Sequence, residues 1–308
     1  MRASRLAARH PRLAAAGALL LLSLIWGYNW VVMKLALRSA SPFDFATLRT
    51  VLGTACLFAI LAALRRPLRP AAPLGLAWLG LLQTTGFVGF SMWALVSGAA
   101  GKTAVLVYTM PFWVIVLSRL TLGERMDGMQ RSAVVLGLLG LAMVLAPWHP
   151  QGGLESDLIA IAAGIFWAAG TLYAKFLRRR VRFDLLSLTA WQMLFGGIGL
   201  GIIALLLPHA PVHWSGEFIG ALAYNAFLGN ALAWFLWLYA LDTLPAGVAS
   251  LGTLATPVVG VLAAALQLGE LPDTPETVGM LLIGSALMII SLQAIRQHRR
   301  VSPAIGQE

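Results

Sequence analysis

The sequence predicts an all-α polytopic membrane protein with ten transmembrane helices, arranged as two inverted repeats of five helices each. Two observations on composition predict the class: 59% of the 308 residues are hydrophobic and only 11% are charged, with a mean hydropathy of +0.81. Soluble domains carry about 25% charged residues. A third observation, the recurrence of the same residues in both halves of the chain, predicts the repeats.

Ten apolar runs are long enough to cross a bilayer, which takes roughly 20 residues for a helix. In lipid, a helix satisfies its own backbone hydrogen bonds. These runs lack the alternating pattern of barrel strands, so a helix bundle is favoured. The predicted spans are 13–34, 43–64, 74–97, 103–121, 130–147, 156–177, 185–207, 216–240, 246–267 and 276–295. Little of the chain remains for a soluble domain.

The first apolar run follows four arginines, as the core of a secretory signal would. It continues through GYNWVVM without a small-residue cleavage site, so we predict a retained span. The single cysteine, Cys56, lies within the second run. Neither an intramolecular disulfide nor a cysteine-based metal site is therefore expected, and no cofactor is indicated.

The net charge of +10 would suggest a nucleic-acid partner for a soluble chain. Most of the 22 basic residues, however, follow one face of the predicted bundle: Arg2, Arg5, Arg9, Arg12, Arg65, Arg66, Arg69, Arg119, Arg125, Arg131, Lys175, Arg178, Arg179, Arg180, Arg182, Arg296, Arg299 and Arg300. The positive-inside rule then places both termini in the cytoplasm, with the chain in the cell (inner) membrane. No nucleic-acid partner is expected, and a basic tail that binds anionic lipid is the alternative.

The second half of the chain repeats the first at an offset of about 140 to 146 residues. TMPFWVIVLSRLTLGE at 109–124 matches ATPVVGVLAAALQLGE at 255–270, and further matches place Trp26 on Trp167, Lys34 on Lys175 and Thr84 on Asn230. An ordered series through all five spans indicates an internal duplication. Because each half has an odd number of spans, the halves are predicted to be inverted, as is typical of secondary transporters. The domains are 1–147, the first repeat, 148–155, a loop, and 156–308, the second repeat.

The stretches LIWGYNWVVMKLAL and SPFDFATLRTVLG and the two P-x11-G-E segments resemble the drug/metabolite transporter superfamily, EamA type. The resemblance covers essentially the whole chain and implies ten helices in two inverted repeats. The many tryptophans make the chain most similar to the YddG-type exporters of aromatic amino acids. The second copy departs from the first, since Arg49 falls on Thr189 and Trp30 on Thr171, so a role of Arg49 applies to one half only.

Several predicted spans carry faces that mix aromatic rings with hydrogen-bonding groups. In the first span four such residues stand at i, i+3, i+4 and i+7, so that they share one face of a helix. The candidate substrate-binding residues are Trp26, Asn29, Trp30, Met33, Gln83, Thr84, Trp93, Tyr108, Trp167, Thr171, Asn230, Trp234, Trp237 and Thr253. As alternatives, the tryptophans belong to an interfacial aromatic belt, or the polar groups bond neighbouring helices.

Charged groups are scarce within the predicted spans. No carboxylate lies at the centre of a span and the five histidines lie in tails or loops, so neither a proton relay nor haem ligation is expected. Arg49, about two turns into the second span, is the exception. Its side chain snorkels to the surface, pairs with Asp44 or meets a substrate carboxylate, and the sequence leaves these alternatives open.

The two matched segments contain the candidate gating or hinge residues Pro111, Glu124, Pro257 and Glu270. Each proline removes a backbone hydrogen bond and can bend its helix, and the glycine before each glutamate permits a turn. Each glutamate follows a helix whose C-terminal dipole disfavours it, and is predicted to cap the next helix or to pair with a base. Fixed structural turns are the alternative reading of both segments.

Together these features predict a secondary transporter of small amphipathic metabolites, with aromatic amino acids first, that works by alternating access. We expect a monomer whose partners are the small-molecule substrate and the lipid bilayer. Nucleosides, sugars or drugs are alternative substrates, and a channel or a non-transporting sensor is an alternative class. An enzyme is not expected, because the predicted spans contain no histidine base, no acidic metal cluster and no G-x-S-x-G motif.

Overall fold

The computed structural model describes residues 9–123, 125–145, 153–208, 210–244 and 253–301. All regular elements in these ranges are helices. In chain order they are α1 (Arg9–Ala36), α2 (Pro42–Ala63), α3 (Pro73–Ser97), α4 (Ala100–Leu122), α5 (Gly128–Leu145), α6 (Leu154–Arg180), α7 (Leu185–Leu206), α8 (216–243), α9 (Ala255–Leu268) and α10 (Thr274–Val301).

Within the described ranges, nine helices are long and apolar enough to cross a membrane. The exception is α9, which has 14 residues; the predicted ninth span begins at 246, and residues 245–252 lie outside the described ranges. The helix α6 begins at Leu154, two residues before the predicted span and inside the predicted loop. The chain is a multi-pass helical membrane protein, as its composition predicted.

Local sequence signals begin and end several of these helices. The side chains of Ser41, Asp184 and Ser215 each accept a hydrogen bond from a backbone N–H three residues further on, and so cap α2, α7 and α8. At the other end of α4 and α9, Gly123 and Gly269 adopt φ of +65° and +69°. This left-handed conformation ends each helix, as the sequence predicted for the turn.

The helices of the two halves pack reciprocally. The helix α1 lies against α8 and α9, while α6 lies against α3 and α4. In the same way α2 contacts α7 and α8, α7 contacts α2 and α3, and α5 packs mainly against α10. The four leading helices of each half therefore surround a common centre, and α5 and α10 pair outside it.

Four helices around this centre are irregular, at matching places in the two halves. A turn at Tyr108 and Thr109 divides α4, and Pro111 lies in the first turn of its second segment. Pro257 likewise lies in the first turn of α9. The third helix of each half contains a π-helical stretch, Leu81–Gly86 in α3 and Tyr224–Leu232 in α8. Such wide turns are rare and occur frequently at functional sites.

The contact between α5 and α10 predicts that alanine substitutions at two glycines of α10 change the stability of the protein by different amounts. A Cβ on Gly279 would lie 2.6 Å from the carbonyl oxygen of Gly140, whereas a Cβ on Gly284 would meet nothing within 4 Å. We expect Gly279→Ala to lower the free energy of unfolding by about 1 to 3 kcal/mol, because overpacking forces the helices apart. Gly284→Ala, the matched control, should not lower it. Thermal unfolding in detergent measures both, and equal stability of the two variants would contradict this packing.

Candidate substrate-binding cavity

A cavity of about 180 Å³ lies at the common centre, between helices of both halves. Ten of the fourteen candidate substrate-binding residues line it: Trp26, Asn29, Trp30, Met33, Gln83, Thr84, Tyr108, Trp167, Asn230 and Trp234. Ligand pockets usually measure about 300 to 1,000 Å³. The cavity in this conformation is therefore smaller than the usual pocket for a drug-sized molecule.

The other four candidates lie elsewhere. Trp93 lines a second, apolar cavity of about 760 Å³ between α2, α3, α6 and α7. Thr171 lies behind the lining, where its hydroxyl donates to the Trp167 carbonyl at 2.9 Å. Trp237 packs against the Trp26 ring, with centroids 6.4 Å apart. Thr253 precedes α9 and does not line the central cavity.

Helix geometry explains the position of Trp93. Ser91 lines the central cavity, and Trp93 follows it by two residues. At 3.6 residues per turn, two residues turn the helix by about 200°, so the indole points away from that cavity. The helix α3 thus separates the central cavity from the second one.

Further lining residues were not singled out in the sequence: Thr50, Phe87, Val88, Ser91, Met92, Met110, Gln192, Met193 and Gly229. A signal for part of this set existed. Phe87, Val88 and Ser91 follow Thr84 at i+3, i+4 and i+7, which is the spacing that identified the face of the first span. Apolar and small residues at this spacing are equally typical of packed helix interfaces. The sequence therefore did not distinguish cavity-lining residues from packing residues at these positions.

Aromatic side chains form one part of the wall. The Trp26 and Trp234 rings meet edge to face with centroids 6.4 Å apart, and Trp167 lies against Phe87 at 4.7 Å. The Trp26 indole Nε1 donates a 3.0 Å hydrogen bond to the carbonyl oxygen of Gly229, inside the π-helical stretch of α8. Trp26, Trp167 and Trp234 thus line the central cavity.

Polar atoms without partners form another part of the wall. Among the described residues, six buried side-chain nitrogen or oxygen atoms have no hydrogen-bond partner, and three of them belong to residues of this cavity. They are Asn29 Oδ1, Arg49 Nε and Ser91 Oγ. An unsatisfied buried polar group costs about 1 to 3 kcal/mol. The cavity therefore presents a cationic donor, an amide acceptor and a hydroxyl for which a bound solute can supply the missing partners.

Arg49 is the charged residue of the lining. Its side chain does not snorkel, since the residue is only 9% exposed. It takes no part in the three ion pairs found among the described residues, and Asp44 instead accepts a 2.8 Å hydrogen bond from Ser41. The backbone carbonyl of Arg49 accepts from Asn230 Nδ2 at 3.3 Å, which ties α2 to α8.

The candidate gating residues are placed as follows. Pro111 and Pro257 lie at the irregular starts of helical segments, as described above, and Glu124 lies outside the described residues. Glu270 Oε2 accepts a 2.6 Å hydrogen bond from the backbone N–H of Ala100, at the start of α4. The sequence predicted that this glutamate caps the next helix or pairs with a base. Its carboxylate caps α4 rather than α10, and it also interacts electrostatically with Lys34.

Two local features explain this cap. Asp273 already caps the next helix, α10, because its Oδ1 accepts from the Glu276 N–H at 2.7 Å. The helix α4 begins after Ala99, which offers no capping side chain. The carboxylate of Glu270 therefore fills the vacant cap of a helix in the other half.

A polytopic helical bundle with a cavity of mixed aromatic and polar lining between its halves has the architecture of a membrane transporter for small solutes. The chain belongs to the EamA-like transporter family, whose sequence model matches residues 13–146 and again residues 154–292. This membership confirms the superfamily that the sequence motifs indicated, and the family and the names of relatives indicate a transporter rather than an enzyme.

Two relatives illustrate the similarity. The chain is 28% identical over 267 residues to the uncharacterized transporter YoaV of Bacillus subtilis, covering 85% of this chain and 91% of the relative. It is 29% identical over 283 residues to a probable amino-acid metabolite efflux pump of Escherichia coli, covering 88% of this chain and 92% of that protein. A solved crystal structure with 20% identity matches with a TM-score of 0.63 over 92% of this chain and 98% of its own, which shows the shared fold alone.

Proposed function

We propose that the chain is a secondary transporter that exports aromatic amino acids by alternating access, with the central cavity as its binding site. The observation that carries the proposal is the set of unpartnered polar atoms beside aromatic rings in one cavity. The guanidinium of Arg49 complements the substrate carboxylate, and Asn29 Oδ1 accepts from the substrate ammonium group. Trp26 and Trp167 provide the surfaces on which an aromatic side chain packs.

The size of the cavity limits the substrate and requires movement. About 180 Å³ suits a small zwitterion more closely than a nucleoside or a drug-sized molecule. Four methionines line the cavity, Met33, Met92, Met110 and Met193. Because methionine side chains are unbranched and adaptable, they can make room for rings of different size.

The architecture supports an alternating mechanism. We propose ten spans in two inverted repeats, 1–147 and 156–308, with both termini in the cytoplasm of the cell inner membrane. Supporting this are the two successive matches of the family model, the reciprocal packing of the halves and the paired irregular helices. Rocking of one half against the other around a fixed site is the movement that such repeats permit. Pro111 and Pro257, with Glu124 and Glu270, are proposed as the points where this movement bends the chain, and the working unit as a monomer.

A substrate screen with the purified chain in proteoliposomes tests the proposal. We expect saturable flux of phenylalanine, tyrosine and tryptophan, measured with and without a proton gradient so that coupling is read in the same assay. Flux of another solute without flux of these three would overturn the substrate, and single-channel conductance would overturn the transporter class. Similar flux of nucleosides or sugars would widen the proposed substrate range.

Trp26→Phe is expected to lower the initial rate of amino acid transport by up to about tenfold. The substitution keeps an aromatic ring but removes the hydrogen bond to the Gly229 carbonyl, and such a bond contributes about 0.5 to 1.5 kcal/mol. Trp93→Phe is the matched control, because Trp93 lines the second cavity. Initial rates at subsaturating substrate measure both variants, and an equal loss in the two would remove Trp26 from the proposed site.

A further inference from the structure

We propose that Lys102, Asp157 and Glu276 form an ion-pair lock that holds one end of the helix bundle closed. This end, the lock face, is where α3 ends and where α4, α6 and α10 begin. The proposal rests on the alternating access proposed above, since a lock requires a state in which this face opens.

Lys102, in the first turn of α4, joins the first half of the chain to two helices of the second. Its Nζ lies 2.9 Å from Asp157 Oδ2 in α6 and 2.9 Å from Glu276 Oε1 in α10. The three side chains are 17%, 5% and 20% exposed, so water competes little for these bonds. Removing one partner from a shielded pair leaves the other charge uncompensated, which makes such pairs effective locks.

Two further contacts fasten the same face. The Glu270 carboxylate, from the segment after α9, holds the N–H of Ala100 at the start of α4. Lys34, near the end of α1, donates to the carbonyl oxygens of Leu95 and Gly98 at 2.7 and 2.8 Å, at the end of α3. Opening this face between α4 and its neighbours must break the ion pairs and the Glu270 cap together.

The composition of the triad gives the lock two arms. One cation from α4 faces a carboxylate from α6 and another from α10, so each carboxylate ties a different helix of the second half to Lys102. Replacing either carboxylate by its neutral amide removes one ion pair and leaves a weaker neutral hydrogen bond. Loss of one arm therefore favours opening of the lock face.

Other charged groups near this face have other partners, and Asp273 accepts from the Glu276 N–H as the cap of α10. The helix α1 contributes Lys34, whose electrostatic neighbours are Glu270 and Arg38 rather than the triad. The other carboxylate in the first turn of α6 is Glu155, which is exposed and takes no part in the three ion pairs of the described residues.

The lock is one-sided. Under the offset that relates the two halves, the three positions of the triad fall on residues without charge: Val248, Ala16 and Gln130. The repeat-related positions therefore cannot form the same ion pairs, and the lock acts on one face only.

Accessibility of the central cavity from the lock face tests the proposal. The reporter is Ser91→Cys in a Cys56→Ala background, because Ser91 lines the cavity and its Oγ bonds no described residue. Glu217→Cys serves as the reference, since it is exposed at the start of α8, whose preceding loop bonds the α1–α2 loop at this face. The reference shows which membrane vesicles, right-side-out or inverted, expose the lock face to an impermeant maleimide.

We expect Asp157→Asn and Glu276→Gln to raise the labelling rate of the cavity reporter about tenfold at about pH 7.5, and only from the lock face. Glu155→Gln is the matched control and should behave as the parent does. Equal rates for the triad variants and this control, or a rise only from the opposite face, would overturn the lock.

The experiment does not depend on the transported solute. If the aromatic amino acid screen fails but the triad variants label faster than the Glu155→Gln control, the lock is still supported. If the screen succeeds but these labelling rates are equal, only the lock is overturned. Each triad variant removes one of the two ion pairs. If one variant does not fold, the labelling rate of the other still tests the lock. If neither folds, Lys102→Gln decides, because it removes both ion pairs and should raise the same labelling rate.

Discussion

Arg49→Gln is expected to lower the transport rate of carboxylate-bearing substrates by roughly tenfold to a hundredfold. Glutamine keeps a hydrogen-bond donor but removes the charge, and a hydrogen bond to a charged group contributes about 1.5 to 3 kcal/mol. Phenylalanine amide, which lacks the carboxylate, should be transported at similar rates by the parent and the variant. Initial rates in proteoliposomes with both solutes measure the effect.

The repeat supplies a matched control for this substitution. Arg49 falls on Thr189, whose hydroxyl donates to the Leu185 carbonyl of its own helix at 2.9 Å. We expect Thr189→Val to change the rate by less than about twofold, because an internal helix bond of this kind contributes little. Arg49→Gln should also leave thermal stability unchanged or higher, since a buried cation without a partner destabilises the fold. An equal loss of rate in both variants, or a loss accompanied by unfolding, would mean that Arg49 supports the structure and not the substrate.

Val88→Phe is expected to lower the transport rate by more than about tenfold without unfolding the protein. Val88 lines the central cavity, and a phenyl ring would occupy a large part of its roughly 180 Å³. Overpacking costs about 1 to 3 kcal/mol where no space exists, but here the ring enters a void. Substrate flux and thermal unfolding of the same preparation measure the two effects separately.

Val96→Phe is the control, made on the same helix. Val96 lines the second cavity and is 53% exposed, so the added ring faces the apolar surroundings of that cavity. Its transport rate should stay within about twofold of the parent. The reverse result, with Val96→Phe inactive and Val88→Phe active, would place the transport path in the second cavity.

Apolar length and helical periodicity predicted the helices and much of the cavity. Trp26, Asn29, Trp30 and Met33 were assigned to one face by spacing alone, and all four line the cavity. These signals are local, because a helix determines which of its own residues share a face. Trp93 was assigned by residue type and repeat position, without regard to its direction, and it faces the other way.

Contacts between distant segments were beyond the reach of the sequence. Glu270 and Ala100 are separated by 170 residues, and no spacing rule connects them. The same holds for Lys102, whose two carboxylate partners lie on helices of the other half. Arg49 was recognised as unusual, but the choice among its three surroundings depended on burial, which only the packed helices determine.

The positions of the two π-helical stretches bear on how the two halves of the chain evolved. They end at Gly86 and Leu232, which are 146 residues apart, the same offset that separates Pro111 from Pro257. A wide turn of this kind amounts to one extra residue in an α-helix. If the proposed repeats arose by doubling of a half-length gene, a single insertion before that doubling would account for both stretches with one event. Later insertion would require two independent events at equivalent positions.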